Sequence, residues 1–388
     1  MTTGPMRATP RIALAHDWLV GMRGGERVLD RLARLFGPTR LYTLVNNRRF
    51  HTDAIAACDI VTSPLQRFPG AAGSWRRSYL PLMPWAVQRI RVEPCDLLIS
   101  TSSAVMKSIR PPAGARHLCY CHGPARYLWD QLEAYGEGAG GGLRRIGLRA
   151  MRSRFQAWDR RTAGRVDWFL ANSRHTAARI AACYGREAEV VYPPARTERF
   201  TIDLDVRRED WYLLVGALEP YKRTRLAVET ARHLDVRLTV AGGGSQLRSL
   251  RSIAPEHVRF LGRVDDDELA DLYRRARALI FPQEEDFGIV AVEAQAAGCP
   301  VIAFAGGGAL ESVTSATGEH FDAPTVASLA EAIGRFEARQ SRGEFNAEAC
   351  RANALRFSEA AFDEAILRQV RRLLDDPDRA QAERPFSP

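Results

Sequence analysis

FPQEEDFGIVAVEAQAAGCPVIAF, residues 281–304, changes character three times. An aromatic start gives way to an acidic turn, an Ala-rich run reads as helix, Gly298-Cys299-Pro300 breaks it, and the apolar VIAF reads as a strand. Glu285 and Glu293 frame the turn, with Phe287-Gly288 beside the first. A helix N-terminus presents free N–H groups and a positive partial charge, and Gly288 lets a ligand approach the backbone. With Glu285 in the loop and Glu293 about two turns into the helix, both carboxylates can face one pocket, where they would accept from vicinal hydroxyls of a ribose or sugar ring. The plainer arrangement has Asp286 capping the helix and both glutamates solvated, and this stretch alone favours it.

The same grammar of strand, polar turn and helix recurs outward. WYLLVGALEPYKRTRLAVETARHL (211–234), VRLTVAGGGSQLRSLRSIA (236–254), VRFLGRVDDDELADLYRRARALIFPQEE (258–285) and PVIAFAGGGALESV (300–313) carry it through the second half. Asp265 to Glu268 suit a helix start. In the first half it appears in RIALAHDW (11–18) leading into LVGMRGGERVLDRLARLF (19–36), where Gly24-Gly25 precede an amphipathic helix, and again in CDLLISTSSAV (95–105), RHLCYCHGP (116–124) and VDWFLANSRHTAARIAACYG (166–185). This is α/β grammar with parallel sheets, whose ligands sit at the C-terminal ends of strands. His16-Asp17, Ser100 to Ser103, His122 and Asn172-Ser173 fall at such ends. Tyr192-Pro193-Pro194 breaks the rhythm and sets an extended connector at about 192–205. The expected fold is therefore two doubly wound, Rossmann-like domains with a cleft between them: 1–195, 196–365, and a C-terminal helix and tail, 366–388, packing back on the first domain. EGAGGGLRR (137–145) reads as a loose loop and PDRAQAERPFSP (377–388) as a frayed tail.

The totals agree with two soluble domains. The chain has 388 residues, 46% hydrophobic and 26% charged, and no apolar run of the ~20 residues a spanning helix needs. No signal-peptide core precedes the first strand, so a cytoplasmic protein is expected. The seven cysteines include no C-x-x-C pair and read as buried reduced thiols; a metal site at Cys119, Cys121, His117 and His122 lacks a second ligand cluster. Charge is uneven. Residues 1–200 carry 31 Lys+Arg against 15 Asp+Glu, a net of +16, whereas 201–388 carry 24 against 31, a net of −7. The halves should meet different partners. Two basic, aromatic-bearing segments, FPGAAGSWRRSYLPLMPWAVQRIRV (68–92) and GLRRIGLRAMRSRFQAWDRR (142–161), suit an anionic membrane surface; a core-facing helix with snorkelling arginines is the alternative for each.

GALEPYKR (216–223) tips the balance at the first stretch. It lies between strand and helix in the same domain and places Lys222, with Arg223 and Arg225 close by, at a strand end where a diphosphate would need cations. One site for a diol and one for phosphates together suggest a sugar nucleotide. At this point the chain resembles the family 4 retaining glycosyltransferases of the GT-B fold. EEDFGIVAVEAQAAGCPVIAF (284–304) is similar to that family's E-x7-E signature. YCHGPARYLWD (120–130), ANSRHTAARIAACYGREAEVVYPPARTERF (171–200) and HDWLVGMRGGERVLDRLARLF (16–36) resemble its O-antigen and exopolysaccharide mannosyltransferase subgroup.

The resemblance implies roles. Glu293 would bind donor ribose hydroxyls, and Glu285 the transferred sugar, with amides at Phe287, Gly288 and Ile289 helping. Lys222, with Arg223, would neutralise the diphosphate, and backbone near Arg263 and Val264 would contact the nucleobase. His122 would reach the sugar across the cleft. Gly25 would lie near the phosphates, with Gly24, Asp17 and Arg126 on the acceptor side. The resemblance further implies a metal-independent front-face displacement without a cofactor. The co-substrate would be GDP-mannose and the acceptor a lipid-linked saccharide, at the inner face of the cytoplasmic membrane. The family's usual Arg five residues before the Lys is Ala217 here, so one phosphate contact is missing. The alternatives are a UDP- or ADP-sugar donor, a sugar-nucleotide epimerase, and a basic nucleic-acid-binding protein; no nucleic-acid motif is present and no nucleic-acid partner is expected.

Overall fold

The structure, a computed structural model, describes residues 10–37, 39–129 and 141–375, which fall into two compact units. The first unit contains β1 (Ile12–His16), β2 (Arg40–Thr43), β3 (Asp59–Thr62), β4 (Leu97–Ser102), β5 (Arg116–Cys121), β6 (Trp168–Ala171) and β7 (Glu189–Val190), with helices α1 (Gly24–Phe36), α2 (Gly141–Ala163) and α3 (Arg174–Tyr184). The second contains β8 (Tyr212–Val215), β9 (Leu238–Ala241), β10 (Val258–Gly262), β11 (Leu279–Phe281), β12 (Val301–Phe304) and β13 (Gly318–Phe321), with α4 (Thr224–Leu234), α5 (Asp266–Arg275), α6 (Ile289–Ala296) and α7 (Val326–Ser341). Every pairing in both sheets is parallel.

The strand orders are β3-β2-β1-β4-β5-β6-β7 and β10-β9-β8-β11-β12-β13. Both run outward in two directions from a central pair, β1/β4 in one and β8/β11 in the other. Such a switch point leaves a crevice beyond the strands' C-terminal ends, because the flanking loops diverge to opposite faces. The apolar strands explain the double winding. Alternate residues of β8, β11 and β12 enter two different cores. Leu213, Leu279, Phe281, Val301 and Ala303 pack with α6 on one face, whereas Tyr212, Leu214, Ile280 and Ile302 pack with α4 and α7 on the other. Burying both faces needs helices on both.

The division falls at Val191/Tyr192 and again at Phe362/Asp363, a few residues before the expected 195/196 and 365/366. Aromatic packing sets the first boundary. The Tyr192 ring lies 5.7 Å from that of Phe287 and 4.9 Å from that of Phe357, and its hydroxyl donates to Glu311 at 3.0 Å. The connector is thereby built into the second unit. From Asp363 onward, helix α8 (Glu359–Asp375) belongs with the first unit: Arg31 binds Asp363, Arg372 and Gln369 bind Glu189, and the Arg372 guanidinium stacks on Trp168 at 4.9 Å. The expected frayed tail (377–388) and part of the expected loop (137–140) lie outside the described residues. Among the described residues, no helix is long and apolar enough to cross a membrane.

Candidate functional site

In the second unit Lys222 and Glu285 meet at the β8/β11 switch point. Lys222 ends a short 3-10 turn, Pro220–Lys222, after β8, and Glu285 lies in the loop after β11. Their side chains form an ion pair, and Gln283 Nε2 donates to the same Glu285 oxygen at 3.2 Å. The loop is held from behind, where the Gly308 amide donates to the Glu285 carbonyl at 2.9 Å. The turn is held too. The β8 and β9 ends approach so closely that a Cβ on Gly242 would stand 1.8 Å from the Gly216 carbonyl oxygen. Glu219 accepts from the backbone and hydroxyl of Ser245 at 3.1 and 2.7 Å. Only glycine permits that crossing.

Gly288, and not Asp286, is the N-cap residue of α6, at φ +90°. Its conformation and its neighbour both exclude a side chain, because a Cβ would stand 2.7 Å from Phe281 Cζ. The close approach expected of a ligand is therefore made, at least in part, by Phe281. Phe287 is buried in the core and Ile289 half-buried. Glu293 is the fifth residue of α6, one turn in rather than two, and is 3% exposed. Arg196 Nε donates to its Oε1 at 3.3 Å, while the two Nη atoms of Arg196 reach Asp266 at 2.5 and 3.0 Å.

The other cations near Lys222 are differently engaged. Arg223 adopts φ +52°, stacks on Phe304 at 4.5 Å and donates to the Pro282 carbonyl at 3.4 Å. Arg225 turns along its own helix and donates to Glu229 at 2.7 Å. Arg263 is exposed and Val264 half-buried, in the loop between β10 and α5.

In the first unit, the β1/β4 switch point brings Gly25, His16 and His122 together. Gly24 and Gly25 are the first residues of α1 rather than a loop before it. A Cβ on Gly25 would lie 3.4 Å from His122 Nε2 and 3.5 Å from His16 Cε1. His16 is buried with Nδ1 2.5 Å from Thr101 Oγ1, and burial pulls its pKa down to about 4, so the ring is neutral. The amide of His122 donates to the Ser102 carbonyl at 2.9 Å, and its carbonyl accepts from Asn172 at 3.1 Å. Arg126, half-buried, opens the turn Arg126–Trp129.

Asp17 was expected on the acceptor side. It is instead 1% exposed, and its carboxylate accepts from the backbone amides of Ser103, Ala104, Val105 and Met106 at 2.6 to 3.0 Å. Burial pushes its pKa up, and the four N–H donors oppose that shift. The side chain organises the loop after β4 and is consumed by it.

In the basic stretch 142–161, two arginines fit the core-facing alternative. Arg152 donates to the carbonyls of Leu128 and Trp129, and Arg160 stacks on Trp129 and donates to Cys183. These arginines brace the unit internally. The side chains of Ile146, Leu148 and Met151 lie outside the described residues. In the other basic segment, Leu82 and Trp85 are exposed, with Arg89 over the Trp85 ring at 5.6 Å.

Three features escaped sequence reading. Arg196 stood in a quoted motif without a role, since its acidic partners are 70 and 97 positions away. Gln283 and the Gly242–Ser245 loop with Glu219 were also unassigned, although three glycines after an apolar strand were a usable signal.

Comparison with known proteins bears directly on these two units. Residues 22–199 match the model described as Glycosyltransferase Family 4, and residues 196–356 match Glycosyl transferases group 1. Human alpha-1,3/1,6-mannosyltransferase ALG2 is 28% identical over 250 residues, 55% of this chain and 60% of that protein. The GDP-mannose-dependent alpha-(1-6)-phosphatidylinositol monomannoside mannosyltransferase of Mycolicibacterium smegmatis is 30% identical over 206 residues, 45% of this chain and 54% of that protein. The chain thus spans roughly half the length of these curated relatives. Sucrose-phosphate synthase from Thermosynechococcus elongatus superposes with a TM-score of 0.70 at 17% identity, covering 95% of this chain and all of that one. Anabaena HepE in complex with UDP also gives 0.70, at 15% identity, covering 94% of this chain and all of that one. These likenesses show the GT-B fold.

Proposed function

We propose that this glycosyltransferase, whose two halves match glycosyltransferase family models, is a retaining enzyme moving mannose from GDP-mannose onto a lipid-linked saccharide of a cell-surface polysaccharide. The observation that carries this reading is the ion pair of Lys222 with Glu285 at the switch point of the second sheet, with Glu293 on the helix that follows the Glu285 loop. A sugar nucleotide laid there would set its ribose hydroxyls against Glu293, its base along the Arg263–Val264 backbone and its diphosphate beside Lys222.

Catalysis follows from charge. Diphosphate departure builds negative charge, and a preorganised ammonium at that place lowers the barrier without reorganising solvent. Glu285 holds Lys222 in position before donor arrives and contacts the hexosyl group, with the amides of Phe287 to Ile289 beside it. In the first unit, the absence of a side chain at Gly25 leaves room beside His122. A neutral His16 at its flank adds no positive charge there. The acceptor hydroxyl attacks from the face the diphosphate leaves and passes its proton to the departing phosphate, which retains anomeric configuration. This scheme needs no metal. Arg223, at positive φ and half-buried, is the candidate second cation in place of the missing one at Ala217. The exposed Leu82 and Trp85 with Arg89 are suited to an anionic lipid surface, consistent with peripheral residence on the inner face of the cytoplasmic membrane.

Thermal stabilisation of the full chain across GDP-mannose, GDP, UDP-glucose, UDP and ADP-glucose tests this, repeated with Glu293→Ala. Stabilisation by the guanosine pair that vanishes in the variant supports the proposal. Stabilisation by UDP or ADP forms reassigns the donor, and none with any nucleotide removes the donor site.

A further inference from the structure

Arg196 joins two elements that the donor reading uses separately. It follows the proline pair of the connector and is fixed at its backbone: the Ala195 amide donates to the Phe357 carbonyl at 2.9 Å, and the Arg196 carbonyl accepts from the Arg199 amide at 3.0 Å. Its guanidinium stacks on Phe200 at 5.2 Å. One edge of the fork engages Asp266 through both Nη atoms, and Nε engages Glu293 Oε1. Asp266 is the first residue of α5, directly after the 263–265 loop, and Glu293 lies on α6.

We propose that Arg196 is a positioning residue for the donor nucleoside: it fixes the Glu293 carboxylate for the ribose hydroxyls and ties that carboxylate to the loop that meets the base. This inference rests on the assignment of Glu293 to the ribose. The physical case is that Glu293 is 3% exposed, that a carboxylate is costly to bury without a partner, and that a diol is bound only by a carboxylate held in a fixed direction. A planar guanidinium supplies charge and direction together, whereas a lysine is a single point charge and cannot span both acids. The bond to Asp266 holds the fork's far edge, so Nε cannot swing away from Glu293.

Isothermal titration of the full chain tests this with GDP and 2′,3′-dideoxy-GDP, and with UDP and its dideoxy form in parallel, on wild type, Arg196→Met, Arg196→Lys and Asp266→Asn. The readout is the ratio of dideoxy to ribo dissociation constants, which a merely structural role would not move. Wild type is expected to prefer the ribonucleotide by about tenfold or more, as two charge-assisted hydrogen bonds allow. In Arg196→Met the ratio should fall to about threefold or less while dideoxy affinity stays within about twofold of wild type. Arg196→Lys should not restore the ratio, and Asp266→Asn should lower it partway. If Arg196→Met does not fold, Asp266→Asn carries the decision. An unchanged ratio in the folded variants, with wild type discriminating, overturns this inference alone. A wild type that binds nucleotide without discriminating overturns the assignment of Glu293 to the ribose, and the inference with it.

Discussion

Acid should loosen the first unit through His117, and His117→Gln should remove that part of the effect. The ring is fully buried on β5. Its Nδ1–H donates to the Arg165 carbonyl at 3.2 Å, and Nε2 accepts from Ser100 Oγ at 2.8 Å. A carbonyl can only accept, so the neutral ring has its proton on Nδ1. Burial pulls the pKa down from 6.5 to about 4. The folded state therefore refuses a proton that the unfolded chain takes up below about pH 6.5. Stability is complete above the unfolded value and drains as pH falls toward the folded one. Between pH 7 and pH 5 the linkage amounts to about 2 kcal/mol from this one ring. Hydrogen exchange of the full chain, corrected for intrinsic rates, reads it as the opening free energy of peptides spanning β4 and β5. Wild type should lose about 2 kcal/mol more than His117→Gln over that interval. Each protein is its own reference across pH, so whatever the substitution costs at pH 7 cancels. Equal losses in the two proteins would show that burial of His117 does not control its proton, and the reasoning would fail.

Other substitutions probe the sites themselves. Gly288→Ala should cost about 2 kcal/mol or more, seen as a lowered denaturation midpoint in urea, because φ is +90° and Phe281 fills the space; a neutral result would mean that the turn relaxes freely. Lys107→Met should cost about 3–5 kcal/mol in the same measurement, since it strands the carboxylate of Asp159, which is fully buried and lies 2.7 Å from the ammonium. Arg225→Ala, at an exposed residue whose partner is a glutamate one turn along its own helix, should leave nucleotide affinity within about twofold of wild type, whereas a large loss would place it at the phosphates after all.

Periodicity made the architecture legible. Parallel strands buried on both faces read as short apolar runs, so β1, β4, β8, β11 and β12 stood out. The edge strands of the first sheet, β3 and β7, did not. The burial of β3 and β7 is partial and their sequences, DIVT and EV, are too short or too mixed to signal. Glu285 and Lys222 were legible because each sits just after a strand, where the fold itself directs side chains to the crevice. Asp17 obeys the same rule and is nevertheless structural. Nothing near residue 17 reveals that the loop after β4 would turn four amides toward it. Arg196 failed for the complementary reason, since its significance lies wholly in partners that only tertiary structure brings near. Gly288 was singled out for close approach of a ligand, but the local sequence could not show its positive φ or that Phe281 was the crowding neighbour.

The most direct test of the central claim is transfer itself. The full chain, in EDTA, is incubated with GDP-[14C]mannose and a lipid extract containing saccharide-linked carriers, and label is counted in the lipid phase, with Lys222→Met in parallel. The account predicts label in the lipid phase with wild type and a drop of about a hundredfold or more when the ammonium is removed. Label appearing equally with Lys222→Met would contradict the account of how the diphosphate leaves, and no label from GDP-mannose would contradict the proposed donor and acceptor together.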